Sequence, residues 1–237
     1  MGSIILKELR GYFNTPIAYI VIIFVLEFTT IWFLYIQQFL YQNVASMGGF
    51  FGALPVIYII ALPALTMRAW AEERRQGTSE ILLTLPISEG RLVAGKFLAA
   101  LILLSLIALL TLPLPLTLSP LGRFQFGPIA GQYIGIILLG AAGIAIGQFI
   151  SAFSSNQITS FLFSVVALLF ITLVGQVNTI AQLPNWLASG INYFSLDYHF
   201  QSFDKGIIDT RDVIYFLVMT GFFLYLNTKV LVLRRWS

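Results

Sequence analysis

The 237-residue sequence has no cysteine and only one histidine, His199. Disulfide bonds and thiolate metal sites are therefore excluded, as is any metal site built from several histidines. Charged residues are also scarce: they make up 10% of the chain, against about 25% in an ordinary soluble domain. Too few polar side chains remain to coat a water-soluble globule of this size.

Apolar residues dominate instead. They are 58% of the chain, compared with roughly 45–50% in soluble domains, and the mean hydropathy is +0.90. A transmembrane helix needs about 20 apolar residues to cross a hydrocarbon core of roughly 30 Å. The sequence therefore predicts an all-α polytopic membrane protein with six spans, at residues 17–39, 50–67, 97–118, 129–150, 158–177 and 213–233.

Lysine and arginine are unevenly divided between the segments that join these spans. If both termini lie in the cytoplasm, ten of the 13 basic residues fall on inner segments and three on outer segments. Cytoplasmic loops carry an excess of these residues, so the sequence predicts an N-in, C-in topology. The inner set is Lys7, Arg10, Arg68, Arg74, Arg75, Arg91, Lys96, Lys229, Arg234 and Arg235, and the outer set is Arg123, Lys205 and Arg211.

The polar segments are short, and residues 1–237 are predicted to form a single transmembrane domain. Residues 1–14 mix apolar and charged side chains in a pattern typical of an amphipathic helix on the membrane face. The two longest polar segments are residues 68–96, predicted to be cytoplasmic, and residues 178–212, predicted to be outside. The cytoplasmic segment is too short for a nucleotide-binding domain, so energised transport would need a second chain or an ion gradient.

The cytoplasmic segment 68–96 has a distinctive internal order. Its charged first part is helix-prone, and Gly77 is placed where a C-cap glycine would end that helix. Thr78 or Ser79 predicts the start of a second, short helix, which Pro86 ends. The leucines of this short helix suit docking to a partner. A solvated loop between two spans is the alternative interpretation.

The end of this segment leads into span three. Ser88 and Glu89 predict the start of a helix there. The stretch Gly90–Phe97 nearly matches a phosphate-binding loop, but Phe97 replaces the hydroxyl that would ligate Mg²⁺, and a membrane span follows at once. Lys96 is therefore interpreted as an interfacial charge at the start of span three.

Two stretches of the chain carry family motifs. Residues 68–87 read Arg-x-x-x-Glu-Glu-Arg-Arg-x-Gly-Thr-x-Glu-x-Leu-Leu-x-Leu-Pro-Ile, and residues 7–19 read Lys-Glu-Leu-Arg-x-Tyr-Phe-x-x-Pro-Ile-Ala-Tyr. Both resemble the ABC-2-type permeases, the membrane subunits of bacterial ABC exporters. The resemblance covers essentially the whole chain and is close to the branch that includes gliding-motility-associated and nitrous-oxide-reductase-maturation permeases.

The resemblance implies a function. The chain would be the permease subunit of a bacterial ABC exporter in the cytoplasmic (inner) membrane, with no catalytic residue, metal or cofactor of its own. ATP and Mg²⁺ would be bound by a separate ABC ATPase, present in two copies beneath two permeases that form a homodimer or a heterodimer. An extracytoplasmic accessory protein would be a further partner besides the lipid bilayer, and no nucleic acid is expected.

The resemblance also assigns roles to individual residues. The segment from Gly77 to Leu85 would form a coupling helix in a groove of the ATPase, the amphipathic start would be a connecting helix nearby, and the turn 151–157 would be a minor second contact. The predicted connecting-helix residues are Lys7, Glu8 and Arg10. The predicted coupling residues are Glu72, Glu73, Arg74, Arg75, Gly77, Thr78, Glu80, Leu82, Leu83, Leu85 and Pro86.

Glu27 is the only acidic residue at the middle of a predicted span. Intramembrane acids face the protein interior or water by default, so Glu27 would either line a polar path or fix helix packing as a protonated or hydrogen-bonded group. An ion-driven secondary transporter that uses Glu27 is the alternative to the ABC function. That alternative predicts paired intramembrane charges or inverted repeats, and the sequence shows neither.

Small residues at i, i+4 spacing form a ridge on span four. Such a ridge lets helix backbones approach closely, either within one bundle or between two permeases. The glycines of the ridge that are predicted to pack helices are Gly131, Gly135, Gly143 and Gly147.

The outer segment 178–212 is too apolar for a simple solvated loop. It predicts short re-entrant helices that dip into the outer interface before the last span. Asp197, Asp204 and Asp209 lie near His199 in the sequence. Their spacing matches no metal-binding loop, and they predict a solvated rim.

Overall fold

A computed structural model describes residues 1–41, 46–77, 88–121, 124–176 and 184–235. All regular elements in these ranges are helical, which confirms the predicted all-α class. The α-helices, numbered along the chain, are α1 (Gly2–Phe13), α2 (Pro16–Ile31), α3 (Gly48–Phe51), α4 (Leu54–Thr66), α5 (Ala71–Arg75), α6 (Glu89–Leu110), α7 (Pro113–Leu118), α8 (Phe126–Ser151), α9 (Gln157–Leu173), α10 (Asn185–Phe194), α11 (Leu196–Asp204) and α12 (Thr210–Arg235).

Within the described residues, six helical stretches are long and apolar enough to cross a membrane, which confirms the predicted number of spans. Spans two and three differ most from their predicted bounds, because the second helical stretch continues to Arg75 rather than to residue 67 and the third begins at Glu89 rather than at residue 97. Ser88 has an extended backbone and Glu89 lies in the positively polarised first turn, as the sequence predicts for this helix start. The six stretches are Pro16–Tyr41, Gly48–Arg75, Glu89–Leu118, Phe126–Ser151, Gln157–Gln176 and Thr210–Leu233.

The core of the bundle lies around the second and fourth spans. Helix α8 packs against α4, α6, α9, α11 and α12. In the most apolar part of the second and fourth spans 72% of residues are buried, against 28%, 22% and 22% in the first, fifth and sixth. Large faces of α2, α9 and α12 are therefore left uncovered by this chain, for lipid or for another protein.

The glycine ridge of α8 faces other helices of the same chain. A Cβ atom built on Gly135 would lie 2.5 Å from Cβ of Phe203, and one built on Gly143 would lie 2.3 Å from Cδ1 of Leu62. A Cβ atom on Gly147 would meet a side-chain oxygen at 2.2 Å, and one on Gly131 would meet a backbone oxygen at 3.2 Å. The absence of side chains is what allows α4 and α11 to approach α8 so closely.

Different elements lie at the two ends of the bundle. Helices α1 and α5, the first turns of α6 and the turn between α8 and α9 lie together at one end, called the α1 end below. The opposite end, called the α11 end, holds α11 and the starts of α8 and α12. The short helices α10 and α11 precede the last span, as predicted, and their insertion into the membrane stays a prediction.

Candidate functional site

Helix α5 is one charged turn that ends the second helical stretch at the α1 end. Glu72 and Glu73 lie in its first turn and Arg74 and Arg75 in its last turn, an order that complements the helix dipole. Gly77 follows with φ of +69°, a left-handed conformation that glycine adopts without steric cost, and the helix ends there as predicted. The remaining predicted coupling residues, Thr78, Glu80, Leu82, Leu83, Leu85 and Pro86, lie outside the described residues.

The hydroxyl of Ser151, at the end of α8, holds the turn between α4 and α5. It accepts hydrogen bonds from the backbone N–H groups of Trp70 at 3.1 Å and Ala71 at 3.3 Å, and it donates one to the carbonyl oxygen of Met67 at 3.1 Å. Ser151 is fully buried, and a buried N–H group left without a partner costs about 1–3 kcal/mol. The end of span two is therefore locked to the end of span four.

Two side chains of α5 reach the turn between α8 and α9. Nη1 of Arg74 donates a hydrogen bond to the carbonyl oxygen of Ala152 at 3.1 Å. The side-chain amide of Gln157, the first residue of α9, donates to the carboxylate of Glu72. The turn 151–157, which the sequence predicts as a minor contact with a partner, is thus packed against α5 of the same chain.

Lys96 is the centre of an ion cluster that joins three helices. Its Nζ atom lies 2.9 Å from Oε1 of Glu8 on α1 and 2.8 Å from Oε1 of Glu73 on α5. The Lys96 side chain is 4% exposed, and the two carboxylates are 18% and 12% exposed. The sequence predicts Lys96 as an interfacial charge; the structure places it seven residues inside α6 and buries it, because two acidic residues from other helices compensate its charge.

Two further contacts surround this cluster. Nζ of Lys96 lies 4.9 Å from the centre of the Trp70 ring, within the range of a cation–π interaction. Lys7 lies 3.7 Å from Glu73, with a side chain that is 63% exposed, so this outer ion pair adds little. The buried pairs are the ones that fix geometry, because loss of one partner leaves an uncompensated charge in a largely buried site.

Helix α1 is held against the bundle by close packing as well as by charge. A Cβ atom on Gly95 of α6 would lie 2.7 Å from Cγ2 of Ile4. The hydroxyl of Tyr12 donates a hydrogen bond to the carbonyl oxygen of Leu65 at 3.1 Å. Burial raises the pKa of Tyr12 well above its usual range, so this hydroxyl keeps its proton. Of the predicted connecting-helix residues, Glu8 and Lys7 join the ion cluster and Arg10 is exposed.

A cavity of about 490 Å³ opens between α1, the start of α2 and the α4–α5 turn. Apolar residues such as Ile17 and Leu65 line part of it, and charged residues line the rest. The charged lining residues are Lys7, Glu8, Arg68, Glu72, Glu73 and Lys96. Helix α1 therefore touches the bundle through its ion pairs and one packed face, with open space beside them.

Glu27 lies apart from this site, on α2. Its side chain points away from the bundle and is exposed on the surface of this chain. The buried face of α2 is formed instead by Ala18, Val21, Val25 and Thr29. Glu27 therefore does not fix helix packing within this chain, which was one of the two roles that the sequence left open.

At the α11 end the structure contains a buried pair that sequence reasoning missed. Nδ1 of His199 lies 2.7 Å from Oδ1 of Asp212, and Nε2 lies 3.1 Å from the carbonyl oxygen of Tyr193. The imidazole also stacks on Tyr215, with ring centres 3.8 Å apart. His199 is 3% exposed, so the prediction of a solvated rim is wrong for this residue. In the described part of the chain no cluster of residues suits a metal ion.

Asp204 occupies a second polar position at the α11 end. The side-chain amide of Gln132 donates a hydrogen bond to the carbonyl oxygen of Asp204 at 2.6 Å, which ties the end of α11 to α8. Burial, followed by the nearby charge of Asp197, raises the pKa of the Asp204 carboxyl from 3.8 to about 6. No hydrophobic period or motif in the sequence marks either of these contacts.

Comparison with known proteins agrees with this architecture. Residues 15–227 match the family model described as ABC-2 family transporter protein. Over 159 residues, or 65% of the chain, the sequence is 27% identical to the probable multidrug ABC transporter permease YbhR of Escherichia coli strain K12, and the same holds for the corresponding protein of Escherichia coli O157:H7. The matched region spans 41% of the length of these relatives.

Proposed function

This chain belongs to the ABC-2 family of transporter proteins, and we propose that it is the permease subunit of a bacterial ABC exporter in the cytoplasmic (inner) membrane. It would form the translocation pathway and perform no bond chemistry. ATP and Mg²⁺ would be bound by a separate ABC ATPase. The permease assignment of the relatives in Escherichia coli supports this role.

The contacts around α5 carry the proposal. Glu72, Glu73 and Arg74 connect this turn to α9, α6 and the end of α8, and Lys96 adds α1. The Gly-Thr-x-Glu motif follows α5 directly in the sequence. A push on that motif by a soluble motor would therefore reach the membrane helices through hydrogen bonds and ion pairs, a contiguous physical connection of the kind that transmits motion between sites.

The excess of lysine and arginine supports a cytoplasmic position for the α1 end. In this orientation residues 77–85 would be the coupling helix, residues 1–14 the connecting helix, and α10 with α11 the re-entrant pair at the exit. Two permeases, identical or different, would enclose the pathway above two ATPase subunits. Closure of the ATPase pair on ATP would switch the pathway from inward to outward access, and an accessory protein would bind at the α11 end.

The cargo does not follow from these features. The motifs that resemble gliding-motility-associated and nitrous-oxide-reductase-maturation permeases support membership of that branch, whose members differ in what they handle. The relatives in Escherichia coli are described as probable multidrug permeases, and the region that matches this chain spans less than half of their length. We therefore propose export by an ABC mechanism without assigning a cargo from similarity.

The proposal is tested by purifying the chain from its native membrane in mild detergent and identifying the co-purifying subunits. The wild-type chain should bring a stoichiometric ATPase with measurable ATP hydrolysis. Glu80→Lys and Leu83→Asp should each release the ATPase while the permease stays folded in the membrane. Lys205→Glu, a charge reversal at an exposed residue of the α11 end, is the matched control and should retain it.

Two results would contradict the proposal. One is retention of the ATPase, with unchanged ATP hydrolysis, by both variants of the motif. The other is a wild-type chain that purifies without any nucleotide-binding subunit under several gentle conditions. The second result would favour the ion-driven alternative that uses Glu27.

A further inference from the structure

Glu27 stands at the middle of the first membrane span. It lies 11 residues after Pro16, the first residue of the helical stretch Pro16–Tyr41. At 1.5 Å of rise per residue this places its Cα atom about 16 Å along a helix that crosses a hydrocarbon core of roughly 30 Å. Either interface is therefore about 15 Å away, too far for a glutamate side chain to reach.

The surroundings of Glu27 on this chain are apolar and open. Ile20, Ile23 and Ile31 lie on the same face of α2 and are 61%, 59% and 47% exposed. Phe28, beside Glu27 in the sequence, is 45% exposed and packs on Phe24 with ring centres 5.5 Å apart. Glu27 thus lies in a strip of isoleucine with an aromatic pair at its edge.

No group within the described residues neutralises this carboxyl. The ion pairs of the structure are centred on Glu73, Lys96 and His199, far from Glu27 in the fold. An ionised carboxylate in contact with lipid at this depth is strongly unfavourable, and such groups face protein or a water-filled space. Within this chain Glu27 faces neither, so an ionised Glu27 requires a partner from outside the chain.

We propose that Glu27 lines the cargo pathway between two permease subunits and binds the positive charge of a lipophilic cation. The inference rests on the proposed function, because the pathway requires a second permease. The carboxylate supplies the opposite charge, the isoleucine strip covers the apolar groups of the cargo, and Phe28 offers a ring face to a cation. A single acid in an otherwise apolar strip favours a cargo with one positive charge on a large apolar body.

The test compares two ions of nearly identical shape and opposite charge. Tetraphenylphosphonium is the cation and tetraphenylborate the anion, and binding of each is measured by equilibrium dialysis to the complex purified in mild detergent, without ATP. Wild-type protein should prefer the cation, and Glu27→Gln should lower its affinity for tetraphenylphosphonium about tenfold or more, the loss expected for one desolvated charge contact. The affinity for tetraphenylborate should not fall.

Val218→Gln is the matched control, since it adds the same amide at an exposed position of α12. This variant should bind both ions as the wild type does. Three results would overturn the inference: equal affinity of the wild type for both ions, unchanged binding of the cation by Glu27→Gln, or loss of the second permease from the Glu27→Gln complex. Because binding is measured without ATP, a missing ATPase would refute the proposed function separately.

Discussion

The ion cluster at the α1 end makes a quantitative prediction about Lys96. The Lys96 ammonium lies 2.9 and 2.8 Å from the carboxylates of Glu8 and Glu73. Each pair is worth roughly 6 kcal/mol of Coulomb attraction at an effective dielectric constant of about 20, before the cost of desolvation. Replacement of Lys96 by methionine keeps most of the side-chain volume and removes the charge. The two carboxylates then face each other without the ammonium that lies between them, and the exposed Lys7 lies 3.7 Å from Glu73.

Loss of one partner from a buried pair typically costs about 3–5 kcal/mol. We expect the lower end, about 3 kcal/mol, for Lys96→Met, because Glu8 and Glu73 are 18% and 12% exposed and water can reach them. For a chain of this length that corresponds to a fall in melting temperature of about 6 °C or more. The triple variant Glu8→Gln, Glu73→Gln, Lys96→Met should recover most of the loss, because none of the three buried charges of the cluster is then left without a partner.

The measurement is the melting temperature of the purified protein in one detergent at fixed pH. Lys229→Met is the control: Lys229 is exposed and its Nζ atom lies 5.3 Å from the Tyr225 ring centre, a contact worth about 0.5–1 kcal/mol. The reasoning is refuted if Lys96→Met melts within about 2 °C of the wild type. It is also refuted if the triple variant melts as low as Lys96→Met, since packing rather than charge would then explain the loss.

Two further predictions concern packing and pH, both read from the melting temperature. Gly135→Ala should lower the free energy of unfolding by about 1–3 kcal/mol, because the new Cβ atom would lie 2.5 Å from Cβ of Phe203, which cannot move aside. Gly221→Ala is the control and should be neutral, because a Cβ atom there would meet no atom within 4 Å. Equal effects of the two substitutions would contradict the packing argument. Because the pKa of Asp204 is raised from 3.8 to about 6, the folded chain binds a proton at a higher pH than the unfolded chain does. The contribution of Asp204 to stability should be highest below about pH 4 and should fall as pH rises through about 6. After a discount for solvent screening, the fall should be about 1 kcal/mol. Asp204→Asn should flatten this pH dependence, and an unchanged slope in the variant would contradict the prediction.

The spans could be predicted from the sequence because their signal is local. A run of about 20 apolar residues has one stable solution in a bilayer, a helix whose backbone groups bond to each other. The helix of span three begins at Glu89, as Ser88 and Glu89 predict, although Glu89, Arg91 and Lys96 interrupt its apolar run. The helix continues through them because Lys96 finds its partners in the folded bundle rather than in lipid or water.

The contacts of the candidate site could not be predicted, because they join residues that are far apart in sequence. Glu8 and Lys96 are separated by 88 positions, and Trp70 and Ser151 by 81. In the local sequence Ser151 is one more small residue after the glycine ridge, and His199 is a single polar residue of a predicted loop. Only the approach of α8 to α4, and of α12 to α11, gives these side chains their partners.

The long sequence separation within the ion cluster has a consequence for biogenesis. At about 5–20 residues per second, the ribosome completes Lys96 roughly 4–18 s after Glu8. During that interval α1 lacks the cation that anchors it, and the α4–α5 turn lacks its hydrogen-bond partner Ser151 for longer still. The contacts of the α1 end can therefore be completed only after the fourth span has been synthesised, which makes them the last to form among the first four spans.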